Sequence, residues 1–257
     1  MAGPLDELNL RISELKADLA FVALAAQLRP RIGAVIRWDA AAHELNLVRQ
    51  FMEARSSRPE GLYGPLLVRL LAAFERYLRM LIVQSVEQRA SGAQNFDDLP
   101  RALSNRNIVL TGRILAAIET PRDHLTLDAD SLIANLATCR QGSKVFHLNS
   151  QAFSATVTGA GPSIVERALE NVDVSNWWDG VGGYAALAAL LGTRGARATG
   201  DRARERLQEL WRWRNHLAHA GNEEIVVSES QLREAVDYVA CFGGALDSVV
   251  KRKLSGR

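Results

Sequence analysis

Cysteine is scarce in this chain, with only Cys139 and Cys241 among 257 residues. Each lies in an apolar helical pattern, so both read as small packed hydrophobes in a reducing compartment, not as a disulfide or a metal site. No apolar run approaches the roughly 20 residues that a membrane-spanning helix needs. Asp6, Glu7, Glu14 and Asp18 interrupt the N-terminal apolar pattern, which argues against a signal peptide. The expectation is a cytoplasmic protein with no membrane partner. Excess charge is missing too: the net formal charge is +2, too small to mark a nucleic-acid binder by its total. Sustained alternation of apolar and polar residues, which strands need, is scarce. There are no repeats and no heptad run long enough for a free coiled coil. Neither Thr158-Gly159-Ala160-Gly161-Pro162-Ser163 nor Gly180-Val181-Gly182-Gly183 ends in Gly-Lys-Ser/Thr or follows a clear strand, so both read as loops. No nucleophile elbow occurs, and His43-Glu44, His124 and His147 are isolated, without metal-ligand spacing. No cofactor is expected.

What the chain does have is helical periodicity. A hydrophobic content of 47% with 23% charge is ordinary for a globular protein, and the length suffices for one domain with an inserted subdomain. Leu5, Leu8, Ile12, Leu15, Leu19 and Val22 recur at three- and four-residue steps, predicting a helix over 3–28 that Arg29-Pro30 breaks. Its alternative use is packing on a partner chain. A second helical stretch spans about 32–53, with Trp38, Leu45, Val48 and Met52, and a loop follows over 56–64. Pro65 opens a helix to about 90, whose stripe is Leu67, Leu70, Leu71, Phe74, Leu78 and Leu81. From 91 to 195 short helices are predicted at 97–104, 111–119, 128–140, 162–171 and 182–191, with 144–149 extended. Trp177-Trp178 reads as an anchor for a helix start, with base stacking as the alternative. Ser228 and Gln231 form a capping box for a last helix over 229–250, with Leu232, Val236, Val239, Gly243, Leu246 and Val250 inward.

The segment Leu207 to Gly221 concentrates the chemistry. It reads as the end of a helix over 199–220 that places Leu207, Leu210, Trp211, Leu217 and Ala218 on one stripe, with Arg214 in its middle. A guanidinium cannot deprotonate, so burying it requires a carboxylate or a phosphate. Glu75, at the edge of the 65–90 stripe, is the candidate carboxylate; its alternative partner is Arg79, one turn along the same helix. His219 falls in the last turn, where the helix dipole favours imidazolium. Between Arg194 and Arg214 lie seven arginines against Asp201, Glu205 and Glu209. This is either a solvated face laced by ion pairs or a surface for an RNA backbone, with Arg202, Arg206 and Arg212 as the RNA-binding candidates.

Arg214-Asn215-His216-Leu217-Ala218-His219 resembles the Arg, polar residue, spacer, His signature of the HEPN superfamily, and the chain looks RiboL-PSP-HEPN-like. The resemblance is clearest over 202–250. It implies an all-α, up-and-down helical bundle, here with a helical insertion between the N-terminal and C-terminal helix pairs. It also implies a metal-independent endoribonuclease with its site at a homodimer interface, acting as a toxin or antiphage effector under an antitoxin or regulatory protein. Carried over residue by residue, Arg214 is the transition-state clamp and His219 the acid or base. Asn215 orients substrate or catalytic groups. Beside this carry-over, Glu75 and His216 are the supporting candidates; His216 lies on the face opposite the core stripe, where an exposed surface histidine is the alternative. The tyrosine that some such toxins carry two residues after the motif histidine is Gly221 here, which puts neutralisation by that route in doubt.

RNA carries its own nucleophile, the 2′-hydroxyl. Metal-free cleavage needs a base for that proton, an acid for the 5′-oxygen and a cation on the transition state, giving 2′,3′-cyclic phosphate and 5′-hydroxyl ends. On one helix Arg214 and His219 stand about 140° apart and roughly 7.5 Å along the axis, suiting a groove wall better than a self-contained pair. Two alternatives stand beside this: a non-catalytic HEPN module that binds RNA or protein, and a structural helical subunit whose Arg214 is a core ion pair with Glu75.

Overall fold

The computed structural model describes residues 3–36, 59–117, 128–219 and 226–256. Among these residues all regular structure is helical, with ten α-helices and no strand. The helices are α1 (Pro4–Ile36), α2 (Tyr63–Gly92), α3 (Arg101–Ala116), α4 (Ala129–Thr138), α5 (Ser150–Ser154), α6 (Pro162–Asn171), α7 (Trp177–Gly182), α8 (Ala185–Leu191), α9 (Ala196–His219) and α10 (Glu229–Leu254).

Four of them form the bundle that the periodicity predicts. The stripe of α2 is buried as expected, and Tyr77, Ile82 and Val86 extend it. All six predicted inward positions of α10 are buried, and its start is fixed by a reciprocal cap. Ser228 Oγ accepts from the Gln231 amide at 3.2 Å, and Gln231 Oε1 accepts from the Ser228 amide at 2.9 Å. Direction follows from side-chain bridges. Arg69 reaches Asp18 and Arg76 reaches Glu7, so α1 and α2 are antiparallel. Tyr63 donates to Glu229 and Tyr77 to the Gly243 carbonyl, so α2 and α10 run the same way. Tyr238 bonds the Ala203 carbonyl and Arg206 meets Glu234, so α9 runs back along α10. The result is up-down-up-down in chain order, with α1 and α9 on either side of the α2–α10 pair.

The segment between α2 and α9 packs onto this bundle through α5 and α6 on α2, and through α7 wedged between α9 and α10. Two glycines permit that wedge. A Cβ on Gly182 would lie 2.9 Å from the Gly200 amide nitrogen and closer still to the Ala196 carbonyl; one on Gly200 would lie 2.9 Å from the Trp178 carbonyl. Trp177 begins α7 in the core and stacks on Trp178, ring centroids 3.9 Å apart, as the anchor reading expects.

Several expectations need correction. Helix α1 continues through Pro30 to Ile36, because an interior proline removes one hydrogen bond and crowds one carbonyl without abolishing the turns on either side. The 97–104 and 111–119 helices are one helix, α3. Its buried face includes Asn107 and Thr111, and these polar residues hide the period. The 182–191 helix is α8 with a later start at Ala185, and a further short helix, α7, precedes it. Residues 144–149 are not a strand. The Asn149 amide donates to Asn107 Oδ1 at 2.9 Å, and its side-chain amide donates to Thr111 Oγ1 and the Leu132 carbonyl, so side chains satisfy this backbone where a neighbouring strand would. The predicted helix end at Gly221, residues 37–53 of the second stretch, His43-Glu44 and His124 all lie outside the described residues.

Candidate functional site

Helix α9 changes character along its length. Ala203, Leu207 and Leu210 are fully buried, and these turns belong to the core. Beyond them Trp211, Trp213, Arg214, Asn215 and Leu217 are half-buried, while Arg212, His216 and Ala218 are exposed. The expectation of a continuous core stripe through Ala218 is thus corrected: from Trp211 to Ala218 no residue is fully buried, and these last turns form a rim. Leu217 still touches the core, lying 3.1 Å from where a Cβ on Gly64 would sit at the start of α2.

Arg214 occupies this rim. Its guanidinium carbon stands 5.2 Å from the centroid of the Trp211 ring, and Nη1 donates to Asn215 Oδ1 at 3.3 Å. No carboxylate among the described residues pairs with it. Glu75 is bound to Arg79, one turn along α2, and that guanidinium also donates through Nε to the Val157 carbonyl at 3.2 Å. The Glu75–Arg214 pairing is therefore replaced by a pairing within α2, whose i,i+4 spacing brings the two groups together without any tertiary requirement. His216 is solvent-facing, as the face opposite the core predicts. His219 is the last described residue of α9, and its side chain lies outside the described part of the structure.

The three candidate phosphate-binding arginines part company. Arg202 is exposed and meets Glu205 at 3.0 Å; Arg212 is exposed with no ion pair among the described residues. Arg206, only 13% exposed, holds Glu209 at 2.6 Å and Glu234 at 3.4 Å and lies 5.4 Å from the Trp213 ring centroid. These contacts make it a clamp between α9 and α10. Arg204 is likewise taken, by Glu166 of α6 at 3.1 Å. The ion-paired reading describes the middle of this basic stretch, Arg202 to Arg206, while Arg194, Arg197, Arg212 and Arg214 have no carboxylate partner among the described residues.

Sequence reasoning missed Trp211's neighbours. A Cβ on Gly159 would fall within the indole, and one on Gly161 would lie 2.9 Å from its Cδ1, so the ring rests directly on backbone. The glycine pair was visible and rightly read as a loop. Only the need for two Cβ-free positions facing one large aromatic would have revealed its purpose.

The thiols are quiet. Cys139 Sγ donates towards the Asn135 and His147 carbonyls and accepts from Asn107, and burial raises the pKa of both Cys139 and Cys241. Chemically, the rim of α9 offers a half-buried cation beside an indole and a side-chain amide, which suits an oxyanion. No protein-family model, curated protein or solved structure matches this chain.

Proposed function

We propose that this protein is a metal-independent endoribonuclease of HEPN type, in which Arg214 stabilises the charge on the reacting phosphate and His219 moves a proton. In this reading a neutral imidazole takes the 2′-hydroxyl proton and the 2′-oxygen attacks phosphorus. An imidazolium then protonates the departing 5′-oxygen, leaving a 2′,3′-cyclic phosphate and a 5′-hydroxyl. Each chain carries one such motif, so two chains pair to supply both imidazoles. The cellular role that fits is a toxin or antiphage effector, restrained by an antitoxin or other regulatory protein.

One observation carries the reading. Arg214, half-buried, keeps company with an indole and an amide and has no carboxylate partner among the described residues, where a purely structural arginine would be sealed against one. The test is incubation of the purified protein with total RNA in EDTA, followed by end-group analysis. Fragments with cyclic phosphate and 5′-hydroxyl ends are expected; intact RNA, or fragments with 5′-phosphates, would refute the proposal.

A second reading, a non-catalytic module that binds RNA or protein, has its own support in α1. Leu10, Phe21 and Leu24 stand 53%, 67% and 53% exposed, with exposed Ala17 and Ala20 between them and Glu14 at the edge, an apolar stripe of the kind that partner proteins cover. RNA that is retained but uncut in the same assay would favour it.

A further inference from the structure

The Gly159–Gly161 turn has no role in a bare four-helix bundle, yet it is held firmly. Val157 and Ala160 are buried, and the Gly161 carbonyl accepts the Ile164 and Val165 amides at 3.0 and 3.1 Å as α6 begins. Arg79, itself gripped by Glu75, ties the Val157 carbonyl to α2. The indole of Trp211 lies against this turn, and Arg214 lies over the indole.

We infer that the turn is a seat that fixes Trp211, and that Trp211 is a positioning residue holding the Arg214 guanidinium in place for a phosphate oxyanion. This rests on the reading of Arg214 as the phosphate-binding group of the site. Free arginine side chains sample many rotamers, and a cation that must meet a developing charge gains by being fixed beforehand. Three restraints act on Arg214 here. The ring attracts the guanidinium, whose carbon stands 5.2 Å from its centroid, the Asn215 carbonyl oxygen engages Nη1, and the glycine seat stops the ring from moving away. Among the described residues Nε and Nη2 have no acceptor, and they present the two-pronged donor edge that phosphate oxygens match. Glu75 then serves the site at one remove: it orients Arg79, which anchors the turn on which the indole rests.

The experiment follows the side-chain Nε–Hε signal of Arg214 by NMR, assigned through its loss in Arg214→Lys. In the wild-type chain, ring current from the indole moves Hε upfield, and added inorganic phosphate shifts it further. Trp211→Phe keeps both effects in weaker form. Trp211→Leu and Gly159→Ala abolish the upfield shift and weaken phosphate binding by about tenfold. In the RNA cleavage assay they lower kcat by about ten- to a hundredfold, with KM little changed. An unshifted Hε in the wild-type protein overturns the inference, and that result needs only the conservative Arg214→Lys variant used for assignment to fold. So does phosphate acting equally on wild type and Trp211→Leu, or full cleavage by Trp211→Leu. Should the NMR effects hold while wild-type protein cuts no RNA, the nuclease reading fails and the positioning of Arg214 stands.

Discussion

The hydroxyl of Tyr238 donates to the carbonyl of Ala203 across the interface of α10 and α9, at 2.7 Å and out of reach of water. It fixes the height of α9 on the bundle, and so the height at which the last turns of α9 emerge. Tyr238→Phe should therefore cost about 1–2 kcal/mol, measured by urea unfolding, since it removes a buried hydrogen bond and leaves the packing intact. A change within error would mean that the bond does not restrain α9.

Alkaline titration should reveal the same side chain. Burial raises the pKa of Tyr77 and Tyr238 well above the ordinary 10.0, with Asp247 adding to the effect on Tyr77. A raised folded-state pKa gives stability that is complete below the unfolded value and is lost as pH climbs past it. Stability should thus fall above about pH 10, by up to about 1.4 kcal/mol per pH unit for each of the two tyrosines. Absorbance at the tyrosinate band checks this: both phenols should ionise only as the protein unfolds.

Arg206 and Arg214 should separate cleanly on mutation. Arg206→Ala breaks the half-buried clamp to Glu209 and Glu234 and uncovers Trp213, with an expected loss of about 1–3 kcal/mol. Arg214→Ala leaves no carboxylate stranded among the described residues, so its melting temperature should stay close to wild type while RNA cleavage disappears. The reverse pattern in a paired melting and cleavage experiment would restore the structural reading of Arg214.

His219→Ala should slow cleavage by about a hundred- to ten-thousandfold, the usual effect of losing positioned acid–base catalysis. RNA affinity, read by a filter or anisotropy assay, should barely change. Unimpaired cleavage by this variant would end the proposed mechanism.

Gly182→Ala should be the most damaging single methyl in the insertion, because its Cβ would meet the backbone of α9 at both Ala196 and Gly200. Backbone cannot swing aside as a flexible side chain does, and a loss of several degrees in Tm is expected. An unchanged Tm would show that α7 is not fixed against α9.

Helices α1, α2 and α10 were legible because their inward positions are rich in Leu, Val, Ile and Phe at three- and four-residue steps, whereas α9 buries Thr199, Gly200 and Ala203 beside only Leu207 and Leu210. Helix α3 was not, since Asn107 and Thr111 stand on its buried face, and a polar residue is read as outward until its partner is known. Partner choice was the other blind spot. Glu75 had two arginines in prospect, and nothing in the spacing says that a local i,i+4 pairing wins over a tertiary one. Arg206 and Arg212 look alike in the sequence; two carboxylates and an indole make one of them a clamp. The placement of Arg214 and Asn215 together on the last turns of α9 was readable from the motif. The glycine seat beneath Trp211 was not, because 50 residues separate the two halves.

The gradient of burial along α9 has a consequence for how this chain can change. Its first turns tolerate little, since Ala203, Leu207 and Leu210 have no free space around them. Positions 212, 215, 216 and 218 face solvent wholly or in part and carry little of the fold. Loss of chemistry and loss of folding are therefore separable events here. A descendant sequence could exchange the side chains at these positions one at a time and still inherit an intact bundle.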